Sequence, residues 1–396
     1  AMRIALIADA YPPMRSSGAV QLRDLSREFV RQGHDITVIV PAAELATPWS
    51  IEILAGVQVL RVKAMQTRDT NYAWRTLAEL ALSHFVRKGL LASPLRDVKW
   101  DAVVWYSPTI FFGRAANWLK VRSACPSYLI IRDIFPEWAV DLGLMRRGPV
   151  YRFFKYFERL QYESADTIGV QSPAGLSYFA DWAAASPGRR LEVLQNWLAP
   201  AENVGCSIDI SKTHLAGRHI FVYAGNMGAA QAMDMVLALA ERLMSRTDVG
   251  FLFVGRGSDV PRLRAIADEK KLPNVLFYDE IDPTEVPGLL IQCHVGLVML
   301  DPRHKTHNVP GKFLTYMQAG LPVLARLNAG NDLVEQIEDE GVGRAYVGDS
   351  VDAFGDLGIS LANSTDRDRM SKRAVLLSDR LYSVRAAVHQ ITSRFI

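Results

Sequence analysis

HIFVYAGNMGAAQAMDMVLALAERLMSRTDVGFLFVGRG, His219–Gly257, decides the fold. An apolar run with no polar alternation ends in a glycine loop, Gly225, Asn226 and Gly228. A helical pattern follows, then a second apolar run and a second loop, Gly255, Arg256 and Gly257. Apolar runs of this kind belong to strands covered on both faces, which is the property of a parallel sheet. Strands alternating with helices of roughly 10–15 residues form βαβ units.

The same alternation runs through the rest of the chain. Upstream, RIALIAD (3–9), DITVIV (35–40), VQVLRVK (57–63), DAVVWYS (101–107), PSYLIIRD (126–133), DTIGVQS (166–172) and LEVLQN (191–196) read as strands. QLRDLSREFVRQG (21–33) and AWRTLAELALSHFVRKGLL (73–91) read as helices. Downstream come NVLFYDE (274–280), HVGLVML (294–300) and PVLARL (322–327), separated by helices. LAPAENVGCSIDISKTH (198–214) has neither period and reads as a linker. The pattern predicts two doubly wound α/β domains in tandem. In such sheets ligands lie outside the carboxyl ends of the strands, so a cleft between the domains is the expected site.

Composition narrows the classes. The 396 residues exceed one ordinary core and suit two domains. Forty-five basic and 42 acidic residues leave a net charge of +3, so no nucleic-acid partner is expected. The three cysteines, Cys125, Cys206 and Cys293, lie far apart and form no zinc spacing, which suits reduced thiols in the cytoplasm. AMRIALIADA reads as a strand and not as a signal peptide. No apolar run reaches the ~18–20 residues of a membrane span. There is no HExxH, no Cys/His cluster and no DxD at a strand end, so no metal ion or cofactor is expected.

Several motifs offer chemistry. In HNVPGKFLTYMQAGLPVLA (307–325), Asn308 is the expected N-cap and Pro310 fits the first turn. Gly311, Lys312 and Phe313 would then present N–H groups at the positive end of a helix dipole. A lysine is electrostatically misplaced there unless an anion binds, so the pattern points to a phosphate. Gly18, with Ser16 and Ser17, opens the first helix and could offer N–H groups in the same way. The loop RDIFPEWAVDLGL gathers Arg132, Asp133 and Glu137 with two aromatic rings at a strand end. In MRRGPVYRFFKYFERLQY, Arg146, Arg147, Arg152, Lys155 and Arg159 alternate with rings. Such a helix either docks on an anionic membrane or packs its rings inside and leaves a solvated basic face.

These stretches, with PPMRSSGAVQLRDLSREFVRQGHDITVI, VYAGNMGAAQAMD and FLFVGRG, make the chain resemble glycosyltransferase family 4 over essentially its whole length. The resemblance is strongest to the bacterial O-antigen and capsule branch, within it to N-acetyl-L-fucosaminyltransferases. It implies the GT-B fold, two Rossmann-like domains facing a central cleft. An acceptor-side domain is expected over 1–199, a linker over 200–216, a nucleotide-sugar domain over 217–377, and a last helix over 378–396 crossing back to the first domain. The implied activity is retaining, metal-independent transfer from a UDP-sugar to a polyprenyl-diphosphate-linked glycan at the inner face of the cytoplasmic membrane.

The family puts the donor diphosphate against Gly311, Lys312 and Phe313, and uses the loops at Gly18 and at Gly225, Asn226 and Gly228. Arg256 is expected on phosphate or ribose, and the main chain at Asp279, Glu280 and Ile281 on the uracil. Lys312 and Asp133 are the expected catalytic residues, with Arg132 and Glu137 beside Asp133 on the sugar or acceptor side. Relatives carry two glutamates where this chain has His307 and Thr315, which points to an unusual donor. A UDP-sugar epimerase of the same architecture and a non-catalytic assembly scaffold are the alternatives.

Overall fold

Residues 1–300 and 309–396 are described by the computed structural model. They divide into two units: Ala1–Trp197 with Val384–Ile396, and Leu198–Ser383. His307 and Asn308 lie outside the described residues.

In the N-terminal unit the apolar runs are strands β1 (Arg3–Ile7), β2 (Asp35–Ala42), β3 (Trp49–Leu54), β4 (Val57–Lys63), β5 (Ala102–Ser107), β6 (Ser127–Ile131), β7 (Thr167–Val170) and β8 (Arg190–Val193). They form one sheet in the order β3-β4-β2-β1-β5-β6-β7-β8. Every neighbour pair is parallel except β3 with β4. β5 and β6 are buried at every residue, as strands covered on both faces must be. The edge strand β3 is an addition to the sequence reading. Its WSIEIL is nowhere fully buried, so it lacks the continuous apolar run that marks the central strands.

Eight helices connect these strands: α1 (Ser17–Arg31), α2 (Tyr72–Leu80), α3 (Leu82–Ala92), α4 (Gly113–Ser123), α5 (Glu137–Asp141), α6 (Pro149–Glu163), α7 (Ala174–Tyr178) and α8 (Ala180–Ala184). The single helix expected over 73–91 is divided at Ala81 into α2 and α3. Ser16 caps α1, its hydroxyl accepting from the Ala19 N–H at 3.3 Å.

The C-terminal unit repeats the plan. Its strands are β9 (His219–Ala224), β10 (Val249–Val254), β11 (Val275–Tyr278), β12 (Val295–Met299), β13 (Val323–Arg326) and β14 (Gly343–Tyr346). They form an all-parallel sheet in the order β11-β10-β9-β12-β13-β14. Its helices are α9 (Asp234–Arg242), α10 (Val260–Glu269), α11 (Val286–Leu290), α12 (Gly311–Ala319), α13 (Leu333–Glu340), α14 (Val351–Asn363) and α15 (Arg367–Leu377). The strand order reverses between β9 and β12, so the loops that follow these two strands part in opposite directions and leave a crevice.

Two expectations need correction. The stretch read as a linker over 200–216 folds onto the C-terminal unit: Ile208, Ile210 and Leu215 enter its core beside Val222 and Leu252. Sparse apolar residues without period still bury when a neighbouring sheet face is open to them. The last helix is also shorter than 378–396. A wider turn covers Ser378–Tyr382, Ser383 is extended, and α16 (Val384–Thr392) then belongs to the N-terminal unit. There Val384, Ala387, Val388 and Ile391 pack with Leu22, Leu25 and Phe29 of α1.

Candidate functional site

The site is built where β9 and β12 diverge. Phe313, Leu314, Tyr316 and Met317 bury one side of α12, and Gly320 closes it in the left-handed conformation at φ 74°. The Tyr316 hydroxyl reaches the Leu297 carbonyl on β12 at 3.1 Å and receives the Ala224 N–H at the end of β9 at 3.4 Å. Gly296 makes this possible, because a Cβ there would lie 2.5 Å from the Tyr316 ring. α12 is thereby held across both strand ends, with its first turn facing the loop after β9.

Pro310, extended at φ −62°, flanks that first turn. The Phe313 N–H donates back to the Pro310 carbonyl at 3.0 Å and the ring is wholly buried. Phe313 therefore anchors the helix and offers no N–H to a ligand, contrary to the sequence reading. A Cβ on Gly311 would meet nothing within 4 Å, so the space in front of the helix start is open.

Lys312 lies in this space. Its ammonium sits over the Tyr223 ring, 4.8 Å from the centroid. Among the described residues no carboxylate pairs with it. Desolvation holds its pKa below the ordinary lysine value. A half-buried cation with no counter-charge is poised for an anion.

Gly225 explains how the lysine gets there. A Cβ at this position would lie 2.2 Å from Lys312 Cε and 2.6 Å from Nζ. The other loop glycines serve the scaffold. A Cβ on Gly255 would lie 2.0 Å from the Gly225 carbonyl oxygen, and one on Gly257 2.3 Å from that of Met227. The two loops are joined by the Met227 N–H to the Arg256 carbonyl at 2.9 Å and the Asp259 N–H to the Met227 carbonyl at 3.0 Å. The Gly228 N–H is taken by Gln231 Oε1 at 2.8 Å. Gly255 and Gly257 thus permit the close approach of one loop's backbone to the other's.

A cavity of about 470 Å³ opens over these groups. Gly225, Asn226, Arg256, Glu280, Ile281, Lys312 and Thr315 line it, joined by Tyr316, Val254, Val286 and Leu290, which the sequence reading missed. Polar and apolar groups together in such a volume suit a small organic anion. Arg256 Nε is held by the Glu280 carboxylate at 2.8 Å, so its charge is balanced within the protein. Thr315 donates to the Gly311 carbonyl at 3.1 Å and keeps its oxygen as an acceptor. Asp279 does not line the cavity; its fully exposed carboxylate faces Arg264 at 4.0 Å. Among the described residues no three His, Cys, Asp or Glu side chains come together as a metal site.

In the N-terminal unit the predicted residues separate. The Arg132 guanidinium donates to the Ile131 and Leu194 carbonyls at 2.8 and 3.0 Å and lies 5.3 Å from the Trp197 ring. Burial lowers its pKa to about 10. Arg132 ties strand ends together through these two bonds. Glu137 is likewise internal: the Tyr151 hydroxyl donates to it at 2.5 Å, and Lys155 and Arg147 pair with it at 3.1 and 3.5 Å. These bonds hold its carboxyl below the usual range although burial works the other way. Asp133 is exposed at the end of β6, and partial desolvation raises its carboxyl against the pull of Arg132. Gly18 sits in the first turn of α1, where a Cβ would make ordinary contact with Tyr106 at 3.8 Å.

On α6, Lys155 is removed from the expected basic face by its bonds to Glu137, Glu158 and Tyr178. Arg146, Arg152 and Arg159 are exposed and unpaired among the described residues, beside the exposed Leu142, Leu144, Val150, Phe153 and Tyr156. Among the described residues no helix is long and apolar enough to cross a membrane.

Comparison with known proteins matches this architecture. Residues 18–197 match the family described as glycosyl transferase 4-like domain, and residues 218–363 match glycosyl transferases group 1. A relative, the probable glycosyltransferase WbjE of Pseudomonas aeruginosa, is 26% identical over 54% of this chain and 54% of its own length. The chain thus spans about half of that relative. The putative colanic acid biosynthesis glycosyl transferase WcaI of Escherichia coli K12 is 23% identical over 74% of this chain and 76% of its own. Among solved structures, HepE of Anabaena in complex with UDP superposes with a TM-score of 0.61 at 15% identity, over 99% of both chains. That likeness shows the GT-B fold.

Proposed function

We propose, on the premise that the chain is a glycosyltransferase carrying both the 4-like and the group 1 domain, that it moves a sugar from a UDP donor to a growing surface polysaccharide. Lys312 carries the reading. It is a half-buried cation at a helix start, without an ion pair among the described residues, beside a cavity lined by both polar and apolar groups.

As the bond between the anomeric carbon and the donor phosphate oxygen lengthens, negative charge gathers on the departing UDP. Lys312 and the helix dipole meet that charge with a preorganised positive field. This gives the leaving group the stabilisation that a metal provides in other transferases, and it supports a metal-independent reaction. The acceptor hydroxyl attacks from the face the UDP leaves and passes its proton to the leaving phosphate oxygen, so configuration is retained. We assign the main chain at Glu280 and Ile281, which line the cavity, to the base, and the Thr315 hydroxyl to a ribose hydroxyl.

The name of WcaI, a putative colanic acid biosynthesis glycosyl transferase, supports a role in polysaccharide assembly, and we extend it to a polyprenyl-diphosphate-linked acceptor. N-acetyl-L-fucosamine is the donor sugar we propose. Arg146, Arg152 and Arg159, exposed and unpaired among the described residues, together with the exposed apolar side chains of the same segment, support docking on an anionic membrane.

The test is a panel of UDP-sugars with UDP-N-acetylfucosamine and UDP-N-acetylglucosamine side by side, read by thermal stabilisation and by UDP release with and without acceptor. Stabilisation by UDP and acceptor-dependent release support the reading. A new sugar isomer formed from donor alone would instead identify an epimerase, and UDP binding without turnover across acceptors would identify a scaffold.

A further inference from the structure

Tyr223 lies on β9, two residues before Gly225, and is wholly buried. Side chains alternate between the faces of a sheet along each strand. Ile220 and Val222 pack on the face that carries Phe313, Leu314 and Tyr316 of α12. Phe221 and Tyr223 pack on the opposite face, with Met227, Met233 and Val236. Lys312 starts from α12, yet its ammonium ends over the Tyr223 ring. The lysine stem crosses the end of β9 through the space that a Gly225 side chain would fill.

Tyr223 thus touches two parts of the site at once. Its hydroxyl donates to the Asn226 carbonyl at 2.6 Å and pins the loop after β9. Its ring takes the ammonium at 4.8 Å, and among the described residues that ring is the cation's one partner. Asn226 and Lys312 line the same cavity. A lysine stem is long and flexible, so something must fix its head. A carboxylate would do so and would also cancel the charge. A ring face attracts the cation without a negative charge of its own and leaves N–H donors free for a ligand.

We propose that Tyr223 is the positioning residue of the donor site: its ring fixes the Lys312 ammonium without neutralising it, and its hydroxyl sets the Asn226 loop against that ammonium. The proposal rests on the transferase reading for the identity of the anion, and on the packing of ring, lysine and loop for the role of the tyrosine.

Tyr223→Phe and Tyr223→Leu divide the side chain. Phenylalanine keeps the ring and removes the hydroxyl; leucine keeps apolar bulk and removes both. The first measurement needs no activity. In the full chain, isotope-labelled at its lysines, the Lys312 side-chain resonance is assigned by its loss in Lys312→Met. The ring current of Tyr223 displaces it upfield in the wild type. The displacement persists in Tyr223→Phe and disappears in Tyr223→Leu. The second measurement is steady-state UDP release against pH. Tyr223→Phe raises the KM for the donor by about three- to tenfold, the scale of one net hydrogen bond, and keeps the alkaline limb of the kcat profile in place. Tyr223→Leu lowers kcat by roughly three- to thirtyfold, the range of one cation–π contact. It also moves the alkaline limb to lower pH, because the ring favours the charged lysine. A wild-type lysine resonance without the displacement overturns the proposal. So does its loss in Tyr223→Phe, or an alkaline limb that stays in place in Tyr223→Leu. Should Tyr223→Leu fail to fold, the resonance in the wild type and in Tyr223→Phe decides the matter. If the resonances behave as stated but no UDP-sugar is turned over, the placement of the lysine stands and the transferase reading falls. Turnover without the displacement removes the positioning role alone.

Discussion

Replacing Lys312 by methionine separates a catalytic lysine from a structural one, because the two roles predict opposite signs. Among the described residues the ammonium has one favourable contact, the Tyr223 ring at 4.8 Å, worth about 0.5–2 kcal/mol. Against this stands the desolvation of an unpaired charge, which lowers its pKa. The two oppose each other, and methionine keeps the length of the side chain in the same groove. The thermal midpoint should therefore move by no more than about 2–4 °C, the equivalent of roughly 1 kcal/mol in a domain of this size. Turnover should fall by about 10²–10³, or roughly 2.7–4 kcal/mol of transition-state stabilisation, the scale of losing one preorganised group that meets developing charge.

The sign with pH follows. A lysine whose folded pKa is lowered costs stability wherever it is charged in the fold. That cost is present below the lowered value and disappears as pH rises through it towards 10.5. The wild type should thus gain stability relative to Lys312→Met across that alkaline window, while its affinity for UDP falls. The assay is steady-state UDP release with parallel calorimetric melts. Turnover within threefold of wild type, or a midpoint lower by 10 °C with residual activity in the folded fraction, refutes the argument.

Further outcomes are expected at other positions. Gly225→Ala places a methyl group 2.2 Å from Lys312 Cε, so UDP affinity measured by calorimetry should drop at least about tenfold while the circular dichroism spectrum is kept. Glu280→Ala breaks an exposed pair and should change unfolding free energy by less than about 1 kcal/mol; the freed Arg256 should tighten UDP binding, read in the same titration. Turning Arg146, Arg152 and Arg159 to glutamine should weaken partition onto anionic vesicles by roughly a hundredfold, at about 1 kcal/mol per basic residue, and Lys155→Met should leave partition almost unchanged because Lys155 is held by Glu137 and Glu158. Removal of divalent ions with EDTA should leave the transfer rate within twofold, measured by UDP release.

The sequence by itself determined the two sheets and the place of the lysine. Val222, Leu252 and Val298 lie in runs apolar on both faces, and such runs have one outcome, the middle of a covered sheet. Lys312, one residue inside a helix start, was legible because charge and dipole there have the same sign whatever lies around them. Partners across space were not legible. Nothing local tells that Gly225 is small for the sake of a lysine 87 positions away, or that Gly255 and Gly257 serve another loop. Nothing local tells that Arg132 is taken up by the Leu194 carbonyl and Glu137 by Lys155, with Asp133 left exposed. The edge strand β3 was decided by the free edge of β4, and the bounds of α16 by the apolar side of α1 that it covers; the return of that helix to the first unit was already implied by the resemblance. A sequence sets the period and charge of each segment; burial and pairing belong to the folded chain, because desolvation and distance arise only when segments remote in sequence close on each other.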